Sequence, residues 1–136
     1  MAAPAPLTLF DVAQRAMSSQ LVRMNAASSN LANAGSVSSS EADAYRPIRA
    51  VFAEQMDKAS GLSTVRVGAI QRSSAAPVKE HQPDHPLADA NGDVWSAPVD
   101  ENAEMVEMLD ASRQYQNMIE ALSTAKQLML DTMRMK

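Results

Sequence analysis

Two long stretches without helix breakers constrain this chain more than any other feature of its sequence. Residues 7–34 and residues 99–136 contain neither glycine nor proline, whereas all four glycines and five of the seven prolines lie between Gly35 and Pro98. Glycine and proline are the residues that most strongly interrupt helices. The sequence therefore predicts an N-terminal helix over 8–34 and a C-terminal helix over 100–136. Between them lies a turn-rich segment over 35–99, and a disordered lead over 1–7 precedes them.

The first stretch carries its own start signal. Thr8 is a good N-cap, and Asp11 stands where a capping box needs an acidic acceptor, although Glu or Gln is usual there. Asn33-Ala34-Gly35 predicts the end of the helix, with Gly35 in the left-handed conformation. The apolar stripe of this helix repeats every seven residues, the spacing of a coiled coil. Its members are Phe10, Met17, Met24 and Leu31.

The second stretch opens with carboxylates and closes with cations, an order that suits the helix dipole. Its apolar stripe advances in steps of three and four: Met105, Met108, Ser112, Tyr115, Ile119, Leu122, Ala125, Met129 and Met133. A helix of about 35 residues is roughly 50 Å long, whereas a compact domain of this size has a radius of gyration of about 14 Å. The stripe must therefore meet the other helix and neighbouring molecules. The alternative is a monomeric antiparallel pair of helices in which the longer one overhangs.

The pattern of the middle segment predicts short strands. Residues 45–52 and 62–71 are the best candidates, Val78 and Val94-Trp95 are weaker ones, and Asn91-Gly92 signals a tight turn. The predicted fold class is mainly α with a small β insertion. In that fold the long N- and C-terminal helices pack as a coiled coil around a small β-rich middle segment.

Composition excludes several classes of protein. With 12 basic and 16 acidic residues the formal net charge is −4, which argues against nucleic acid as a partner because phosphate binding needs a basic surface. The absence of cysteine removes disulfides and thiol catalysis. No stretch approaches the roughly 20 apolar residues of a membrane span. Residues 1–6 lack the basic and apolar regions of a cleavable signal peptide, so we expect a cytosolic protein or one exported without cleavage.

Few residues could carry chemistry. His81-Gln82-Pro83-Asp84-His85 is the one group with metal-ligand residue types, but its prolines indicate an irregular loop and no fourth ligand lies nearby. Phosphate-binding loops, dinucleotide turns and nucleophile elbows are missing from the sequence. We therefore expect no metal, no cofactor, no small-molecule substrate and no enzymatic activity. A metalloenzyme using His81 and His85 is the alternative, which metal analysis would test.

Three asparagines, Asn25, Asn30 and Asn33, punctuate the end of the first stretch. Asparagine is a poor residue for a helix interior because its side chain competes for backbone hydrogen bonds. Amides at a packed seam can fix helix register. A fraying helix end explains the same residues without any such role. The residues alone leave both interpretations open.

The asparagines belong to a motif with a known resemblance. Ser29-Asn30-Leu31-Ala32-Asn33-Ala34 resembles the N-terminal signature of the bacterial flagellar rod and hook axial proteins. Three further pieces resemble the proximal rod members of that family. They are Asp84-His85-Pro86-Leu87-Ala88-Asp89 followed by Gly92, Glu104-Met105-Val106, and Ala111 to Gln116 followed by Thr124-Ala125-Lys126.

The resemblance implies a structural subunit of the proximal rod of the flagellar basal body. Such a subunit would polymerise through its terminal helices, with itself and with other rod proteins, and would transmit torque. It would leave the cell through the flagellar type III export apparatus without signal cleavage and reside in the periplasmic rod. The competing hypothesis is a cytosolic helical export chaperone or adaptor of a type III secretion system, which would remain inside the cell as a soluble dimer.

The assembly interface predicted on this basis combines the two apolar stripes with two of the asparagines. Its members are Phe10, Met17, Met24, Asn30, Leu31, Asn33, Met108, Tyr115, Ile119, Leu122 and Met129.

Overall fold

The computed structural model describes residues 5–136, in which two helices flank five strands. In chain order the elements are α1 (Leu9–Ala32), β1 (Val37–Ser38), β2 (Ile48–Met56), β3 (Ser63–Arg72), β4 (Val78–His81), β5 (Asp93–Ser96) and α2 (Glu101–Arg134). Most of the predicted disordered lead, residues 1–4, lies outside the described residues, so the disorder of that lead stays a prediction.

The prediction of a mainly α fold with a small β insertion is wrong. The structure is 44% helical and 22% strand, and the strands form two antiparallel sheets, ordered β1-β5-β4 and β2-β3. The sequence hides much of this content because β1, β4 and β5 are only two to four residues long and largely polar. The periodic alternation by which strands are recognised needs a longer run. The fold therefore contains both helices and sheets, and the five strands lie in the segment between α1 and α2.

Helix α1 begins at the predicted capping box and ends without the predicted glycine. The Thr8 hydroxyl accepts from the Asp11 amide at 3.2 Å, and the Asp11 carboxylate accepts from the Thr8 amide at 2.8 Å. The hydrogen bonds that the Asp11 carboxylate accepts from the Thr8 amide and hydroxyl lower the pKa of Asp11. At the other end Asn33 is the C-cap. Gly35 does not adopt a positive φ, so the expected left-handed cap is absent and Ser36 instead donates its backbone amide to the Asn33 carbonyl.

Helix α2 runs antiparallel to α1 and is much longer. It starts at Asp100, whose carboxylate accepts from the amides of Asn102 and Ala103. Its 34 residues span about 51 Å, whereas the 24 residues of α1 span about 36 Å. Leu9 at the start of α1 lies beside Leu122 and Ala125. The remainder of α2 therefore extends past the end of its partner.

The longer sheet is a hairpin that packs on α1. Strands β2 and β3 pair along their whole length, with a register shift between Val51 and Phe52 that leaves Gly68 as the extra residue of a β-bulge. At the tip of the hairpin the Asp57 carboxylate accepts from the Ser60 hydroxyl at 2.6 Å and from the Leu7 amide at 3.0 Å. These bonds lower the pKa of Asp57 to about 2. The hairpin tip thereby holds the residues that lead into α1.

The shorter sheet joins the end of α1 to the start of α2. Strand β1 pairs with β5 through Val37 and Ser96, and the Ala97 amide donates to the Ser36 carbonyl at 3.1 Å. Strands β4 and β5 are connected by residues 82–92, a longer loop than the tight turn expected at Asn91-Gly92. Gly92 has φ +79°, and a Cβ there would lie 3.0 Å from that of Pro83. Only glycine fits this position.

The apolar core is thin and made of small side chains. The buried apolar residues are Ala26, Ala27, Ala44, Val94, Ala97 and Ala111. Small residues let backbones approach closely but remove little apolar area from water. Many large apolar side chains of both helices and of the hairpin consequently remain exposed. Among residues 5–136 no helix is apolar enough along its length to cross a membrane.

Candidate functional site: a buried junction and exposed helix faces

A polar junction lies where the end of α1, the start of β2 and the start of α2 meet. Asn30, fully buried, is at its centre. Its amide nitrogen donates to the Ile48 carbonyl at 3.0 Å and to Glu104 Oε2 at 3.1 Å. Its oxygen accepts from the Ile48 amide and from the Tyr45 hydroxyl, both at 2.8 Å. The side chain of Asn30 thus makes four hydrogen bonds within its own chain, and no donor hydrogen is left for another subunit.

Glu104 brings a buried charge into this junction. It is 1% exposed, and both of its carboxylate oxygens accept from the guanidinium of Arg49, one of them from Nη1 at 2.9 Å. The hydrogen bond with Glu104 raises the pKa of Arg49. A buried carboxylate is costly unless it is paired and hydrogen-bonded. Arg49 and Asn30 together meet that requirement, so we define the junction as Asn30, Tyr45, Ile48, Arg49 and Glu104.

The junction brings together segments that are far apart in sequence. Asn30 and Glu104 are 74 residues apart, and each lies in one of the motifs described above. No sequence pattern marks Glu104, Arg49 or Tyr45 as members of the junction. A glutamate in the first turn of a helix is normally solvated and favoured there by the dipole. Only the fold shows that Glu104 faces inward.

A second ion-pair group links the two helices farther along. Arg23 on α1 donates to Glu107 at 2.8 Å and to Asp110 at 2.9 Å on α2, and also to Gln20 at 2.8 Å. The hydrogen bond with Glu107 is the main reason that the pKa of Arg23 is raised. The carboxylates here are partly exposed, so the contact contributes more to helix register than to stability.

The face of α2 that meets α1 follows a regular heptad spacing. Its members are all buried or half-buried: Glu104, Met108, Ala111, Tyr115, Met118, Leu122 and Ala125. The stripe predicted from the sequence coincides with this face at four positions. At Met105, Ser112 and Ile119 it lies one residue out of phase. The observed face takes Glu104, Ala111 and Met118 at those points.

The residues of the predicted assembly interface fall into three groups. Phe10, Ile119 and Met129 are exposed. Met17, Met24, Leu31, Asn33, Met108, Tyr115 and Leu122 are half-buried. Asn30 is buried in the junction. The predicted residues thus differ in burial, and Asn30 lies inside the chain. That they form one assembly interface stays a prediction. The Asn33 amide donates to the Ser29 carbonyl at 2.8 Å, a bond within the last turn of α1.

Exposed apolar side chains on α2 form two further groups. Near its start Met105, Val106 and Leu109 are exposed, and Leu109 is 67% exposed. Beyond Ala125 every residue of the helix is exposed. We call residues 126–134 the tail. It presents Leu128, Met129, Leu130 and Met133, the last of them 71% exposed, together with the cations Lys126 and Arg134.

The two histidines of the candidate metal group make separate contacts. Asp93 binds Lys79 at 2.8 Å and lies 2.9 Å from His81 Nδ1, and these two contacts lower the pKa of Asp93. His85 Nδ1 accepts from the Leu87 amide. Across residues 5–136 no group of three or more histidine, aspartate or glutamate side chains could hold a metal ion.

Comparison with known proteins places this arrangement in a family. The family model described as flagella basal body rod protein matches residues 10–35, and the model described as flagellar basal body rod FlgEFG protein C-terminal matches residues 90–135. The flagellar basal-body rod protein FlgC of Salmonella typhimurium strain LT2 is 44% identical over 129 residues, which are 93% of this chain and 95% of that protein. The chain belongs to the FlgC family of flagellar basal-body rod proteins.

Other relatives agree with that assignment. FlgC of Escherichia coli O6:H1 is 42% identical and FlgC of Yersinia enterocolitica is 41% identical, each over 93% of this chain and 95% of the relative. The two matched segments of this FlgC-family chain contain Asn30 and Glu104, so the junction joins the parts that mark the family. Nothing in these comparisons supports the chaperone alternative.

Proposed function

We propose that this rod protein works as a structural subunit that polymerises through the exposed apolar faces of its terminal helices and thereby transmits torque. The observation that carries the proposal is the length of α2. Its tail extends beyond α1 and presents several large apolar side chains to solvent. A contiguous exposed apolar surface on a water-soluble chain usually marks an interaction site.

The energetics favour assembly through these faces. Burying one leucine or methionine side chain contributes about 1.5–3 kcal/mol. The thin intramolecular core leaves many such side chains unburied, so contact with neighbours can remove them from water. Methionine is flexible and suits a surface that must fit more than one partner. Phe10, Ile119 and Met129 would then contact neighbours directly, whereas the half-buried residues of the predicted interface and Asn30 would act by holding the helix pair in shape.

Family membership supports further parts of the proposal. The partners would be copies of this chain and other flagellar rod proteins, and the site would be the periplasmic part of the basal-body rod. Delivery would use the flagellar type III export apparatus without cleavage of a signal. The chain would work as a building element rather than as an enzyme. Purified basal bodies that lack this chain would contradict the proposal.

The experiment compares neighbouring positions in the tail. Leu128→Asp places a charge on the apolar surface, whereas Gln127→Asp changes a polar exposed residue on the same turn. We expect Leu128→Asp to reduce basal-body number and motility while the thermal unfolding of the isolated chain is unchanged. Gln127→Asp should assemble normally. Leu122→Asp, on the face that meets α1, should lower both stability and assembly.

The variants also separate a folding defect from an assembly defect. Normal basal-body numbers with Leu128→Asp would show that the tail is not an assembly surface. Lower stability in that variant would show that the tail contributes to the fold of the single chain instead.

A further inference from the structure

A polar cleft lies beside the junction, between the end of α1, the segment 36–46 and the adjoining ends of β2 and β3. Its volume is about 550 Å³, and clefts of about 300–1,000 Å³ are the usual size of ligand sites. Tyr45 and Ile48 belong both to its wall and to the junction. Asn33 of the asparagine motif also lines it. The role assigned to the helix faces leaves this cleft without a function.

Two arginines that line the cleft have no acidic partner. Among residues 5–136, the guanidinium groups that make ion pairs or hydrogen bonds are those of Arg23 and Arg49. Arg46 and Arg72, which line the cleft, make neither kind of contact. A guanidinium group carries five N–H donors. In this cleft no group of the described chain accepts from them.

Positive charge dominates the lining of the cleft. Among the described residues that line it, Asp43 is the one carboxylate, against two arginines. Asp43 Oδ2 accepts from the Ser40 hydroxyl at 2.7 Å, and the Asp43 amide donates to the same hydroxyl oxygen at 3.3 Å. The Asp43 carboxylate is thus bonded to its own loop and does not neutralise either arginine.

The donor groups of the cleft match a carboxylate on a peptide. The planar guanidinium group of arginine presents parallel N–H donors that fit the two oxygens of a carboxylate. The Asn33 amide nitrogen donates to the Ser29 carbonyl at 2.8 Å, which leaves one of its two hydrogens for a peptide carbonyl. Val37 and Ile48 also line the cleft, so it can accept the aliphatic part of a side chain.

We propose that this cleft binds an acidic segment of a partner protein, with a carboxylate side chain that accepts from Arg46 or Arg72. A peptide fits better than a free anion, because the cleft is many times larger than a water molecule, which takes about 30 Å³ in the liquid. The apolar part of the lining has no use for a free anion either. The contact differs in place and in chemistry from the apolar helix faces, so it goes beyond the proposed function.

Nuclear magnetic resonance titration of the full-length isolated chain tests this site. The probe is an acetylated and amidated tetraglutamate peptide. Tetraglutamine of the same length and inorganic phosphate serve as matched comparisons. We expect tetraglutamate to shift the amide resonances of residues that line the cleft, Asn33, Arg46 and Arg72 among them, and to bind more weakly as salt is added. The formal net charge of the chain is −4, so binding of this anionic peptide requires a local cationic site.

Substitution of the two arginines tests their role. Arg46→Gln with Arg72→Gln should weaken the binding of tetraglutamate at least about tenfold, because charge-assisted hydrogen bonds are lost. The matched control is Arg66→Gln, since Arg66 is an exposed arginine of the same hairpin that does not line the cleft. Its effect should stay within about twofold. An equal loss in the control would show general attraction to cations and would overturn the proposal.

The remaining outcomes also decide the question. Absence of shifts in the cleft with tetraglutamate, or equal shifts with tetraglutamine, would overturn the proposal. Inorganic phosphate that binds as tightly as tetraglutamate would assign the cleft to free anions and would overturn the peptide as its occupant. The titration of the unaltered chain decides these points even if the double variant fails to fold. Because basal-body counts test the proposed function, a negative titration leaves that function intact.

Discussion

The two ends of the helix pair are built in opposite ways. At the end that contains the junction, Asn30 and Glu104 are buried and their hydrogen bonds are made within the chain. At the other end the tail of α2 has no partner helix and every residue is exposed. The junction end is specified by directional polar contacts, whereas the tail end presents non-directional apolar surface.

The difference separates two tasks. Buried polar groups tolerate few alternative arrangements because each unsatisfied donor or acceptor costs about 1–3 kcal/mol, so the junction fixes how α1, β2 and α2 meet. Apolar methionine and leucine side chains tolerate many arrangements, so the tail can accept the packing that a neighbouring subunit offers. We therefore propose that the junction end stabilises the fold of the subunit and that the tail end serves assembly.

The largest effect is expected from removing Arg49. Arg49→Met leaves the buried Glu104 carboxylate with Asn30 as its remaining hydrogen-bond donor. Because the Arg49 side chain is itself half exposed, the cost should lie below that of breaking a fully buried ion pair, at about 2–3 kcal/mol. Urea unfolding of the isolated chain measures the loss. Arg66→Met is the matched control, because Arg66 is an exposed arginine of the same hairpin and should change stability by less than about 0.5 kcal/mol. Equal stability of the two variants would show that the junction does not hold the chain together.

The asparagines of the motif should differ from each other. Asn30→Ala leaves the buried Ile48 amide without its acceptor and should cost about 2 kcal/mol. Asn33→Ala removes one bond to a carbonyl in the same helical turn and should cost less than about 1 kcal/mol. Thermal unfolding of each single variant gives the comparison. If Asn33→Ala proved the more damaging for stability, the inward role assigned to Asn30 would be wrong.

The smallest effect concerns the contact that holds the start of α1 near the tail end. The pKa of Asp57 is lowered from 3.8 to about 2 by its bonds to Ser60 and Leu7. A depressed pKa means that the contribution to stability is present above the unfolded value and is lost as the pH falls from about 4 to about 2. Asp57→Asn should flatten that part of the stability profile. Because this carboxylate is near solvent, the change should be small. An unaltered profile of stability against pH would show that the Asp57 contact does not stabilise the start of α1.

The sequence predicts the local features of this fold well. The Thr8 and Asp11 capping box follows from a pattern of four residues, and the structure contains it. The absence of glycine and proline marks both stretches that become helices. These signals depend only on interactions between residues that are close in sequence.

What depends on distant contacts escapes such reasoning. The seam of α2 includes Ala111, which is fully buried, rather than Ser112 of the predicted stripe. It includes Glu104 because Asn30 and Arg49, both more than fifty residues away, neutralise and bind it. Strand β1 of the shorter sheet likewise gains its partner, β5, from the opposite end of the middle segment. For these reasons the sequence underestimates the β content and shifts the stripe by one residue.

Amide hydrogen exchange along α2 tests the central claim most directly, because the claim assigns different roles to two parts of one helix. In the isolated chain we expect slow exchange at 104–115, near the junction, and fast exchange at 126–134. In assembled basal bodies the tail should become protected while 104–115 changes little. Uniform exchange along α2 in the isolated chain, or a tail that remains unprotected after assembly, would contradict the account.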